Sequence, residues 1–230
     1  SSRAALALAE RNGIDAAAGI HPHHAANADD AAWMAIVELL ADQRCVAVGE
    51  TGLDYDRGFS PRETQLENLR RHLLLGREIG KPVILHCRSR PGERDAHDDI
   101  LRALAQAGAG SAGWATAEGR PPALLHSYSG PVEYAERALA MGLVISFSGL
   151  VFRATEEASA EIARHVPADR LLVETDSPYL SPPGASRRRN EPQSVAVTAR
   201  WLAEQREVEE LALGEQLVAN YDWVFSRRPS

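Results

Sequence analysis

The feature that most constrains this chain is an alternation of short apolar runs with longer stretches of helical period. The runs are 15–20 (DAAAGI), 45–49 (CVAVG), 82–86 (PVILH), 122–126 (PALLH), 143–148 (LVISFS) and 171–175 (LLVET). They are continuously apolar, without in-out alternation, as strands covered on both faces are. Strands that alternate with helices require right-handed crossovers and a parallel sheet, so the fold class is α/β.

The helical stretches have readable ends. Ser60-Pro61-Arg62-Glu63 has the form of a capping box with proline at the first helical position. Leu66, Leu69, Leu73 and Ile79 then hold one face, and Gly80 stands where a left-handed C-cap belongs. Further helices fit 29–42, 95–107, 131–141, 154–165, 193–205 and 214–225. A closed (β/α)8 TIM barrel needs eight strands, and six runs are visible. The chain also opens within an amphipathic stretch. The expectation is therefore a single barrel domain over 1–230 that lacks the first two strands and a helix; a complete six-stranded doubly wound sheet is the alternative. The segment 89–121 is long for a connection, and its Gly- and Ala-rich end at 107–122 reads as a loop insertion.

The polar residues at the end of each run carry the chemistry. The first run ends in His21, the second in Glu50, the third in His86, the fourth in His126, and the sixth in Glu174 and Asp176. Parallel strands open their carboxyl ends on one face, so these side chains are expected to converge. Imidazoles with carboxylates select a divalent cation such as Zn, Mn or Mg. A hydrolytic metal site further needs a carboxylate to bridge ions or to take a proton from water. Each residue has a plainer reading: a histidine at a strand end can be a hydrogen-bonded structural residue, Glu50 can cap the next helix, and Asp176 can cap a turn before Pro178. Gly49 and Gly52 flank Glu50 and would allow backbone to approach a bound group. In His21-Pro22-His23-His24 only His21 clearly leaves the strand end. His72, His97 and His165 fall on helices or loops and read as surface residues.

Composition narrows the classes. A net charge of −7 argues against coating nucleic acid by bulk electrostatics, so any phosphate must be held locally. No apolar run approaches the roughly 20 residues of a membrane span, and the opening SSRAALALAE is too short for a secretory signal, which leads to the expectation of a cytoplasmic protein with no membrane and no obligate protein partner. Cys45 and Cys87 form no CxxC pair and read as buried free thiols. Lys81 is the only lysine and lies before its strand.

The segments GIHPHHA (19–25), VAVGETGLDYDR (46–57), GKPVILHCR (80–88), LLHSYSG (124–130), VISFSG (144–149) and LLVETDSPYLSPP (171–183), followed by Arg189-Asn190-Glu191-Pro192, resemble the TatD family of metal-dependent deoxyribonucleases. The resemblance runs in order along nearly the whole chain. It implies a TIM barrel with one or two divalent metal ions and 3′→5′ hydrolysis of DNA, mainly single-stranded. Glu50 then looks like the carboxylate that bridges the metals, His86 and His126 like ligands of one metal, and Asp176 like a ligand and the proton acceptor for the attacking water. His21, Arg88 and Glu174 match positions that hold phosphate or orient ligands. Three departures stand out: the family's opening strand with its H-x-H pair has no counterpart here, Ser89 and Arg90 come after HCR where an acid is common, and Ser127-Tyr128 replaces a cysteine-phenylalanine pair.

The resulting expectation is phosphodiester hydrolysis, with Arg88 or Arg187-Arg188-Arg189 on flanking phosphates. Tyr179, Phe147 and Tyr55 are candidates for base stacking, with core packing the plainer role for each. Two other readings compete. One is a small-molecule amidohydrolase or phosphotriesterase, disfavoured because Lys81 is misplaced to be a carbamylated bridge; the other is an inactive truncated scaffold.

Overall fold

A computed structural model describes residues 1–111, 114, 119–153, 157–184 and 189–225. The chain divides into two compact units, Ser1–Leu124 with Val224 onward, and Leu125–Trp223. The first holds α1 (Ser2–Asn12), β1 (Ala16–Ala18), α2 (Asp30–Leu40), β2 (Cys45–Asp54), α3 (Arg62–Ile79), β3 (Val83–Arg88) and α4 (Asp95–Ala107), and β4 (Ala123–Leu125) lies at its end. The second holds α5 (Val132–Ala140), β5 (Val144–Phe147), α6 (Glu157–His165), β6 (Leu171–Val173), α7 (Val195–Arg206) and most of α8 (Glu210–Phe225). Every expected strand and helix is present within a few residues of its expected bounds. Residues 154–156, which the expected helix 154–165 included, lie outside the described residues, as do most of 112–118. Among the described residues no helix is long and apolar enough to cross a membrane.

In the first unit β1 pairs with β2 and β2 with β3, both parallel. In the second β5 pairs with β6, also parallel. Nine of the ten residues of β2 are buried, Glu50 alone being half-exposed, because layers cover the strand on both faces. β2 continues through Gly-Glu-Thr-Gly-Leu-Asp, past the end of its apolar run, so that Asp54 is still strand. Leu53, Leu69, Leu73, Leu85, Ile100 and Leu104 are fully buried in the first unit, and Leu143, Ile145, Phe147, Leu171 and Leu202 in the second.

The two glycines of GETG serve the sheet. A Cβ on Gly52 would stand 2.0 Å from the carbonyl oxygen of His86, and one on Gly49 2.8 Å from that of Ile84. Both glycines also have φ near +140° (143° and 137°). The close approach the glycines permit here is to the neighbouring strand.

α3 ends as expected at Gly80, in the left-handed region with φ 66°. Its start differs. Pro61 is the cap and no side chain caps the helix; Ser60 is buried and engaged elsewhere, donating to the His23 carbonyl (3.2 Å) and accepting from Ala26 N (3.1 Å). Its inner face is also more polar than the leucine spacing suggested: Gln65, Asn68 and His72 are buried beside Leu69 and Leu73. His72 and His97 are thus interior, not surface residues, while His165 is exposed. Each interior ring has a polar partner: His97 pairs with the Ser89 hydroxyl (3.0 Å), and His72 accepts from Ile20 N (3.0 Å) and donates to the Asn68 carbonyl (2.7 Å). Cys45 is buried and Cys87 partly so, both as free thiols.

Lys81 donates through Nζ to the carbonyls of Leu40, Asp42 and Cys45. It closes the carboxyl end of α2, where a cation is favoured.

Burial pushes the His72 imidazole down to about 4, against the opposing bond to the Asn68 carbonyl. Unfolded, the ring titrates near 6.5. The unfolded chain therefore binds the extra proton first as pH falls. The contribution of His72 to stability is complete above about pH 6.5, declines from there to about pH 4, and is flat below. We expect about 3 kcal/mol to be lost across that window. Denaturant unfolding as a function of pH should show the decline, and the His72→Gln variant should show a shallower one.

Candidate metal centre

The first unit brings three imidazoles and two carboxylates together. Register explains the arrangement. His86 on β3 stands opposite Gly52 on β2, and Glu50 and Asp54 lie two residues to either side on that same face. The His86 ring accordingly sits between two acids, with Nδ1 3.0 Å from Glu50 Oε1 and Nε2 3.2 Å from Asp54 Oδ2.

The other two rings come from the segment after β1. His21 caps a short 3-10 turn, Pro22–Asn27, accepting from His23 N through Nδ1 (3.2 Å). That turn brings His23 back so that its Nε2 lies 2.7 Å from Asp54 Oδ2, while His21 Nε2 is 3.6 Å from Glu50 Oε1. Ligand atoms of His21, His23 and His86 all lie within 4.8 Å of one another.

Asp54 has no exposed side-chain surface. Burial would raise its pKa, but hydrogen bonds from His86, Arg57 N and His23 outweigh it and hold the carboxyl well below the usual range. His86 is the reverse: burial opposes its charge, yet Asp54 and Glu50 raise its pKa. Burial lowers the pKa of His23, with His21 and His86 adding to the effect and Asp54 opposing it.

The support for this cluster comes from the polar face of α3. Gln65 accepts from Asp54 N (2.8 Å) and donates to the carbonyls of Asp54 (3.1 Å) and Ser60 (2.8 Å), so one amide pins the strand end. Asn68 donates to the Ile20 carbonyl (2.8 Å) and to Thr51 Oγ1 (3.2 Å), and His72 holds Ile20 N, so the residue before His21 is gripped at both polar atoms.

The second unit holds the other expected residues. His126 donates from Nδ1 to Glu174 Oε2 (2.7 Å), which also accepts from the Ser146 hydroxyl (3.1 Å). That bond places the lone pair on Nε2, 3.9 Å from Asp176 Oδ1. Asp176 has φ +55°, a left-handed conformation that costs free energy in a non-glycine residue and must be held by its surroundings. Asn190 does so, donating to the carbonyls of Thr175 (2.7 Å) and Tyr179 (2.5 Å), while Tyr179 N bonds the Asp176 carbonyl (2.8 Å).

Six of the seven expected site residues thus fall into two clusters, Glu50, His86 and His21 in one unit and His126, Asp176 and Glu174 in the other. Arg88 ends β3, its carbonyl accepting from Tyr55 N (2.9 Å). Arg187 and Arg188 lie outside the described residues, and Arg189 is exposed and pairs with Glu191 (3.4 Å). Tyr55 and Phe147 are core residues, whereas Tyr179 is exposed. Sequence reading missed Asp54 and set His23 aside in favour of His21. Asp54 was accessible from spacing, since four residues along a strand return to the same face as Glu50; His23 depended on a turn that no periodicity reports.

Comparison with known proteins decides the family. The family model described as TatD related DNase matches residues 1–226. The chain belongs to the TatD family. A metal-dependent hydrolase of Bacillus subtilis, YabD, is 35% identical over 215 residues, covering 92% of this chain and 78% of the relative. A protein of Erwinia billingiae named 3′-5′ ssDNA/RNA exonuclease TatD is 37% identical over 208 residues, covering 88% and 74%. The crystal structure of the Escherichia coli TatD homologue YJJV superposes with a TM-score of 0.77 at 27% identity, covering 97% of this chain and 81% of that one. The chain is therefore a TatD-family metal-dependent hydrolase, an enzyme whose strands and helices are of the TatD-type TIM-barrel class.

The donor set of this TatD-family cluster suits a divalent ion. Imidazole nitrogens with carboxylate oxygens are the ligands of Zn, Mn and Mg. A fully buried carboxylate also needs donors or a cation beside it, and here Asp54 is faced by the His86 and His23 rings and by Arg57 N. If Gln65 positions Asp54, Gln65→Leu should weaken binding of Mn or Zn by about 10- to 100-fold with the fold retained. Isothermal titration with the metal alone measures this; an affinity equal to wild type would remove Gln65 from that role.

Proposed function

We propose that this TatD-family hydrolase removes nucleotides in the 3′→5′ direction from single-stranded nucleic acid, DNA foremost. The observation that carries the reading is the His86 ring held between Glu50 and Asp54 with the His21 and His23 nitrogens beside it, a cation-seeking group at the ends of β1, β2 and β3. The name borne by the Erwinia relative, at 37% identity, agrees in substrate and direction.

In this reading the ligands of one or two divalent ions (Mg, Mn or Zn) are Glu50 and His86 in the first unit, with His23 and Asp54 added from its geometry, and His126 and Asp176 in the second. Such ions supply neutralisation of phosphate charge and acidification of water. Glu50 is the carboxylate suited to bridging, since it faces two imidazoles and remains half-exposed. Glu174 fixes the tautomer of His126, so that Nε2 offers its lone pair. Asp176, in its left-handed turn, accepts the proton of the attacking water. Arg88 contacts phosphate oxygens, and His21 stands beside Glu50 at the cation-seeking group. The net charge of −7 is compatible with this because recognition of the phosphate is local.

The small-molecule reading loses ground on Lys81, which is engaged with three carbonyls at the end of α2 and supplies no carbamylated bridge.

Glu50→Ala and His126→Ala should each abolish release of nucleotides from the 3′ end of a single-stranded oligonucleotide, with circular dichroism unchanged. Chelation should silence the wild type, and Mg, Mn or Zn should restore it. Near-full activity in either variant would overturn the ligand assignment. Hydrolysis of model esters or lactones without any cleavage of DNA would favour the small-molecule reading, and inactivity on all of them the scaffold.

A further inference from the structure

The large hydrophobic side chains left exposed in this chain mostly lie on the outer faces of helices, as Met34, Leu74, Leu211 and Val218 do. Phe59 is different. It is 66% exposed and lies in the segment between β2 and α3, five residues after Asp54. Its ring meets the His23 ring edge-on, with centroids 4.8 Å apart and planes at 71°. An edge contact on one side leaves most of the phenyl surface in water.

The backbone around it is anchored. On the near side Asp54 Oδ1 accepts from Arg57 N (2.8 Å). On the far side Ser60 is buried, bonded through its hydroxyl to Ala26 N and the His23 carbonyl and through its own carbonyl to Gln65. Tyr55, next to Asp54, is also tied, its hydroxyl donating to Asp99 (2.9 Å) and its ring lying under the Arg62 guanidinium (4.2 Å). An apolar ring held out in solvent by such fixed neighbours gives up burial that a flexible loop could have regained.

A flat, uncharged face beside a phosphate-handling cluster fits an aromatic group attached close to the phosphate. A nucleobase is such a group. Stacking is available to every base, so it serves an enzyme that must advance through any sequence, and it is denied to bases already stacked in a duplex. It also supplies affinity that a chain of net charge −7 does not obtain from a basic surface.

We infer that Phe59 is the platform on which a base of the unpaired strand stacks, and that it selects single-stranded substrate. This rests on the nuclease reading given above.

The test compares two single-stranded oligonucleotides of one length, one bearing bases throughout and one with abasic residues at the 3′ end. Wild type should prefer the base-bearing strand in kcat/KM, and Phe59→Ala should cut that preference about tenfold, with Phe59→Trp restoring it. In chelator, a 2-aminopurine oligonucleotide should be quenched on binding wild type and the Trp variant, and much less on binding the Ala variant. A merely structural effect, transmitted through His23, would depress both substrates alike and leave the preference intact; that result overturns the inference, as does a wild type with no preference. Failure of the nuclease reading looks different: no cleavage of either oligonucleotide by wild type carrying metal.

Discussion

A helix that buries amides and an imidazole where leucines would ordinarily go is the constraint behind the first unit. Gln65, Asn68 and His72 point inward from α3 and bond to backbone groups at the ends of β1 and β2. Buried amides are worthwhile only when satisfied, because an unpaired polar group in a low-dielectric interior is expensive. Here the bonds are made at the points where the strands give way to site-bearing segments. Asp54 is held by its own N–H and carbonyl, and Ile20 likewise, one residue ahead of His21. The same face of one helix therefore carries part of the core, through Leu69 and Leu73, and fixes the backbone of the cluster.

The two units hold their imidazoles by the same rule with different parts. In the second, Glu174 receives the Nδ1 proton of His126 and the Ser146 hydroxyl, which orients the ring toward Asp176. In the first, His86 takes an acid at each nitrogen, and the acids come from one strand at positions two residues on either side of its partner. Glycine at the position between them is a requirement of the sheet, because the His86 carbonyl occupies the space a Cβ would fill. The motif GETGLD thus joins two demands. Its acids serve chemistry, and its glycines let two strands approach.

Charge is set by this geometry. Three hydrogen bonds outweigh the desolvation of the fully buried Asp54 and hold its carboxyl well below the usual range, and the two carboxylates raise the pKa of His86 against its burial. A metal ion at the same place would meet the field of the same two carboxylates.

The order of strands and helices, the parallel pairing and the candidate residues at strand ends were legible in the sequence, because hydrophobic period and the polar residue after each run are local properties. The helix 95–107 is found at its expected bounds, and the six runs became six strands. Other features were settled by tertiary contact alone. Ser60 left the helix cap for the turn carrying His23, choosing partners 34 and 37 residues away over the adjacent helix end, which no local pattern decides. His72 and His97 went inside because polar groups were there to receive them, a circumstance the helical period cannot register. His23 joined the cluster through a short turn, and Gly52 answered to the neighbouring strand. Local composition determined which elements form and where chemistry-bearing side chains leave them; the packing of one element on another decided which of those side chains meet, since the atoms that satisfy a buried polar group come largely from distant parts of the chain.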